Sequence, residues 1–187
     1  VGVGVSVTNA LSERVEVEVA RGGKLYAMAF ERGIPQGKLK ELGRTPNRRG
    51  TSVRFRPDPK IFGAKAAFKP ARIFKMARSK AYLFGGVEIR WSCDKALLAG
   101  VEDVPEKEVF HFERGLTDFL EAALHGTTLI HPDIFAGKAG KTGSHGAVEW
   151  AVAWVADADG FISSYCNTIP TPDGGTHEAG LRAALTR

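Results

Sequence analysis

Cysteine is scarce in this sequence. Cys93 and Cys166 stand far apart and in no CxxC pair, which argues against a disulfide framework or a zinc site and for reduced thiols, as in a cytoplasmic protein. His111, His125, His131 and His145 keep no metal-ligand spacing. Long apolar runs are missing. No stretch of about 18 apolar residues occurs, so no transmembrane helix is predicted, and no secretory leader is visible. Internal repeats and low-complexity segments are absent too. The chain has no initiator methionine. It opens at Val1 inside a glycine-rich stretch and stops at Thr186-Arg187 inside a helical pattern with no C-cap signal. Both ends are therefore expected to be cut ends of a longer protein.

The residues present are those of a folding chain. Of 187 residues, 43% are hydrophobic and 25% charged, enough for one large domain or two small ones. The net charge of +5 and pI near 9.3 permit a polyanionic partner without requiring one.

Hydrophobic periodicity supplies the elements. Val15, Val17 and Val19 alternate with Glu16 and Glu18, a half-buried strand over 14–20. Gly22-Gly23 turns it into a second strand, KLYAMAF, making a hairpin. Residues 33–49 are polar and read as turns around a short strand. Val53 and Phe55 alternate with Ser52 and Arg54 in a strand closed by Pro57 and Pro59. Residues 68–83 carry a helical face, Gly85-Gly86 breaks it, and 87–93 is a strand. The segment 94–107 is the candidate domain boundary. Beyond it come a strand at 109–112, a helix at 115–124 and a long connection over 125–146 with room for a short strand. Residues 147–156 and 161–168 are predicted to pair through a turn at 157–160. Thr176 is expected to cap a final helix.

Three stretches carry a family resemblance: VGVGVSVTNALS (1–12), GTSVRFRPDPKIF (50–62) and NTIPTPDGGTHEAGLRAALTR (167–187). In order and separation they resemble the B-type ATPase subunits of bacterial type II DNA topoisomerases. AYLFGGVEIRW (81–91) looks more like topoisomerase IV than gyrase. The resemblance implies an α+β fold: the C-terminal part of a GHKL ATPase domain over 1–104, then the start of a ribosomal protein S5 domain 2-like transducer domain over 105–187. It also implies a cytoplasmic, nucleoid-associated enzyme that couples ATP binding and hydrolysis, with Mg2+, to DNA strand passage. Its partners would be double-stranded DNA, the A subunit of topoisomerase IV or gyrase, and a second copy of itself.

Site residues follow from matching positions. Gly2, Val3, Gly4, Val5 and Ser6 fall on the family's phosphate loop, where glycine admits close backbone approach and a helix N-terminus offers free N–H groups. Taken alone, these residues fit a tight turn better; the resemblance shifts the balance to phosphate contact. Val1 departs from the family, which usually has histidine there. Thr51 matches a threonine that helps bind adenine, although threonine is common in strands anyway. His177 is read as structural, in the first turn of the last helix. Arg182 and Arg187 match a region that can line a DNA cavity; five residues apart, they lie about 140° apart around a helix and share no face. Lys60, Lys65, Lys69, Arg72, Lys75, Arg78 and Lys80 cluster around one helix, either as a wet face or as a DNA-facing patch. The family's general base, its magnesium ligand and its γ-phosphate lysine match nothing in this sequence, so no catalytic or metal residue is assigned. The alternative of another class is a basic nucleic-acid-binding module without ATPase activity.

Overall fold

A computed structural model describes residues 3–140, 146–156 and 159–187. The chain divides into two compact units, Val1–Phe68 and Lys69–Arg187.

The first unit is built on an antiparallel sheet. A short helix α1 (Gly4–Ala10) leads into β1 (Ser12–Arg21), which turns through Gly22-Gly23 into β2 (Lys24–Glu31). Both glycines have positive φ, +61° and +74°. That is the backbone a two-residue hairpin needs to match strand twist, and few other residues take it without strain. Next come β3 (Ile34–Pro35), β4 (Lys40–Arg44), β5 (Gly50–Pro57) and α2 (Pro59–Phe62). The sheet order is β3-β2-β1-β5, with β4 also pairing β2. The two expected hairpin strands and the strand after Gly50 are thus observed, and the polar stretch holds two short strands instead of one.

Register explains the alternation. Val15, Val17 and Val19 face Phe30, Met28 and Tyr26 across β2, and Phe55, Val53 and Thr51 across β5. Cross-strand partners share a sheet face, so these nine side chains form one largely apolar surface. The opposite face carries exposed ion pairs: Arg14 with Glu16 and Glu31, Arg54 with Glu16, and Arg48 with Glu18. Such pairs contribute little stability individually.

A buried carboxylate fixes where α1 meets the sheet. Asp58, only 2% exposed, accepts from Arg32 Nε at 2.6 Å and from the Lys60 N–H at 2.9 Å, capping α2. Its own N–H donates to the Leu11 carbonyl, and the Arg32 N–H donates to that of Ser12. Ser12 Oγ in turn donates to the Thr8 carbonyl at 2.6 Å.

In the second unit, α3 (Pro70–Leu83) packs on the hairpin of β6 (Glu88–Ser92) and β7 (Lys107–His111). Phe74 meets Trp91 and Phe110 at ring distances of 5.5 and 5.0 Å. Tyr82 stacks at 3.9 Å on Phe119 of α4 (Leu116–Ala123), and the Arg78 guanidinium lies 5.5 Å from the same ring. The segment 93–106 joins β6 to β7 and includes a 3-10 turn, Lys95–Leu98, capped by Asp94.

Two expectations fail here. Residues 147–156 do not pair with 161–168. Instead β9 (Ala147–Val152) pairs with β8 (Phe135–Gly140), and β10 (Tyr165–Cys166) pairs with β11 (Ile169–Pro170) immediately after it. Asp157 and Ala158 of the expected turn lie outside the described residues. The glycines that weaken β8 as a sequence signal are what permit it: a Cβ on Gly137 would sit 2.5 Å from the Trp150 ring. Thr176 does not cap α5 (Thr176–Leu185). Gly175 occupies the cap position, no side chain accepts there, and Thr176 is the first helical residue.

Candidate functional site

The expected phosphate loop is a helix start. Gly4 is the first residue of α1, Val3 is the cap residue, and the first intrahelical bond runs from the Val7 N–H to the Val3 carbonyl at 2.9 Å. The N–H groups of Val3, Gly4, Val5 and Ser6 therefore have no carbonyl partner within the helix. No side chain caps this end and no acidic residue lies in its first turn. Val3 and Val5 are 62% and 75% exposed. A Cβ on Gly4 would meet no atom within 4 Å, so nothing among the described residues demands glycine there. Gly2 and Val1 lie outside the described residues.

Thr51 stands apart from that turn. It follows Gly50, whose φ is +121°, and pairs with Val19, seven residues along β1 from Ser12. It shares the apolar sheet face with Val19 and Tyr26. Arg21 continues the same parity along β1, and sequence reading did not single it out. The signal was available, because Arg21 extends the Val15–Val17–Val19 alternation up to Gly22-Gly23. With Gly22, Gly23, Pro46, Arg48 and Arg49 it lines an open cavity of about 370 Å³. Arg48 is paired with Glu18 at 3.0 Å.

Arg182 and Arg187 are in the second unit. Arg182 Nε donates to Glu178 Oε1 at 3.2 Å, one helical turn away. Glu178 also accepts from Ser164 Oγ at 2.9 Å. Those two bonds, Ser164 first, hold its carboxyl below the usual glutamate range. Arg187 is exposed at the end of the chain. His177 Nε2 lies 3.3 Å from Thr171 Oγ1, a contact within the local fold. Among the described residues no group of three or more His, Cys, Asp or Glu is placed to hold a metal ion.

The chain is 57% identical, over its whole length, to the B subunit of DNA topoisomerase 4 from Bartonella bacilliformis, and 53% identical to that of Caulobacter vibrioides. The chain belongs to the B-subunit family of bacterial type II DNA topoisomerases. It spans 27% of the length of each of those relatives. The family model for DNA gyrase B matches residues 115–187. The 43K ATPase domain of Thermus thermophilus gyrase B, solved in complex with an aminocoumarin, superposes with a TM-score of 0.79 at 35% identity. That match covers 98% of this chain and 47% of the other. The α+β fold is thus that of a type II topoisomerase ATPase region. No helix among the described residues is long and apolar enough to cross a membrane.

Proposed function

We propose that this chain is the nucleotide-binding and transducer segment of the B-type ATPase component of topoisomerase IV, coupling ATP binding and hydrolysis to DNA strand passage. The observation that carries this reading is the 57% identity, over the whole of this chain, to a topoisomerase 4 protein of that type. DNA gyrase B is the second reading, favoured by the family model over 115–187.

Within this reading the first turn of α1 binds the triphosphate. Val3, Gly4, Val5 and Ser6 donate backbone N–H groups to phosphate oxygens, aided by the positive end of the helix. Gly2 precedes them in the same sequence motif. Thr51 donates to or accepts from the adenine edge at the sheet surface. Hydrolysis needs a general base and Mg2+ to activate water and screen charge; no residue of this chain is assigned to either task. Strand passage requires double-stranded DNA, the A-type component of the enzyme and a second copy of the B-type component as partners.

Gly4→Ala tests the reading. Its Cβ enters space the chain leaves open, so the fold is expected to persist. In the full-length protein the variant is expected to bind a non-hydrolysable ATP analogue at least tenfold more weakly, by calorimetry, with an unchanged melting temperature. Unchanged nucleotide affinity would remove α1 from the site.

A further inference from the structure

Charge in this sequence is segregated. Between Asp58 and Glu88 there is no acidic residue, and there are seven lysines and arginines. Without those seven, the other 19 basic residues fall two short of the 21 acidic ones. The whole positive charge of the chain thus resides in one stretch, most of it on α3.

Two of the α3 cations are engaged. Arg78 lies over Phe119, and Lys80 Nζ donates to the Thr168 carbonyl at 2.7 Å and to its Oγ1 at 2.9 Å. Lys69, Arg72 and Lys75 are exposed and make no ion pair among the described residues. Elsewhere in this unit four cations are paired, Arg90 with Glu88, Arg114 with Asp118 and Glu121, Lys138 with Glu149, and Arg182 with Glu178; Lys95, Lys107 and Arg187 carry no ion pair among the described residues but stand singly along the chain.

The three exposed cations are spaced by three residues. They occupy about 120° of the helix surface and about 9 Å of its axis. On one DNA strand, phosphates recur about every 3.4 Å of duplex axis, so the row spans two to three of them. A protein partner would call for an apolar centre inside a polar rim. Here the exposed large apolar residues next to the row in sequence are Phe68 and Met76, one near each end and neither at its centre, whereas phosphate contact needs only mobile cations that release counterions.

We propose that Lys69, the N-cap residue of α3, with Arg72 and Lys75 on its exposed first half, forms a contact surface for the phosphate backbone of double-stranded DNA. The choice of DNA rests on the topoisomerase reading above; the location rests on the charge and exposure of α3. The surface reads no sequence, because phosphate contacts position without specifying.

The test is duplex binding by the 187-residue chain, followed by fluorescence anisotropy at increasing salt. Three phosphate contacts contribute a slope of about −2.7 in log K against log salt, or about 40-fold in affinity between about 50 and 200 mM. Arg72→Gln with Lys75→Gln is expected to reduce that slope by about 1.8. Arg90→Gln with Lys138→Gln removes the same charge from paired positions and is expected to leave the slope unchanged. Matching circular dichroism among the variants separates charge from folding. An unchanged slope in the α3 variant, or no duplex binding at low salt, would overturn the proposal. So would displacement of the duplex by a polyglutamate peptide at equal charge concentration, which would assign the face to an acidic protein. Binding of the ATP analogue, measured separately on the full-length protein, distinguishes loss of this surface from failure of the topoisomerase reading.

Discussion

Arg32 and Asp58, 26 residues apart, meet at 2.6 Å beneath the junction of α1 and β1. The guanidinium, and next the Lys60 N–H, hold the Asp58 carboxyl below its ordinary range. A carboxyl depressed on folding stabilises above its unfolded pKa, about 3.9, and loses that contribution as pH falls through its folded value. Asp58→Asn keeps a capping oxygen but loses the charge. It is expected to lower the melting temperature by several degrees at about pH 7, and the gap to the parent should close as pH falls below about 4. A gap that stays constant with pH would mean that the carboxylate charge contributes nothing.

Gly137 and Trp150 give a packing test. The missing Cβ of Gly137 leaves room for the indole, so Gly137→Ala is expected to cost about 1–3 kcal/mol through overpacking. Chemical denaturation would measure it. A neutral result would show that the ring can shift freely.

Lys80 and Thr168 make a long-range tie of 88 residues. Asn167 and Thr168 form the turn between β10 and β11 with φ of +48° and +66°, a backbone that is a steric outlier for a β-branched residue. Lys80→Met removes both bonds that hold Thr168 and is expected to cost about 2 kcal/mol. Amide hydrogen exchange should rise at Ile169 and Cys166, with little change in β1 or β2. Unaltered protection there would mean that the hairpin holds itself.

The isolated chain is expected to show no ATP turnover above buffer in a phosphate-release assay, since it offers no assigned general base. Measurable hydrolysis by the pure chain would contradict that assignment.

What could be read from the sequence tracks how local the cause is. The Val15–Val17–Val19 alternation and the Gly22-Gly23 turn fix a hairpin from residues close along the chain, and both are where they were expected. α3 was legible because its apolar positions follow one helical stripe. β8 was legible only as room for a short strand within 125–146, since Phe135–Gly140 has little apolar surface to fix its bounds and depends on Trp150 across the pair. The β10–β11 turn was hidden for a similar reason: Asn-Thr is a poor hairpin dipeptide, and its conformation is held by Lys80 on a distant helix. At the candidate site, the glycine loop and Thr51 were visible as motifs. Arg21 continues the Val15–Val17–Val19 alternation and was legible to that extent, but only strand register sets it beside Thr51's sheet face.

β5 ends the sheet, with β1 as its one neighbour among the described residues. Its free edge presents unbonded N–H and C=O groups beside Val53 and Phe55, the chemistry from which fibrils grow. Arg54 and Arg56 interrupt that strand. A second copy stacking edge to edge would bring arginine against arginine, so the strand carries its own deterrent to amyloid-like growth.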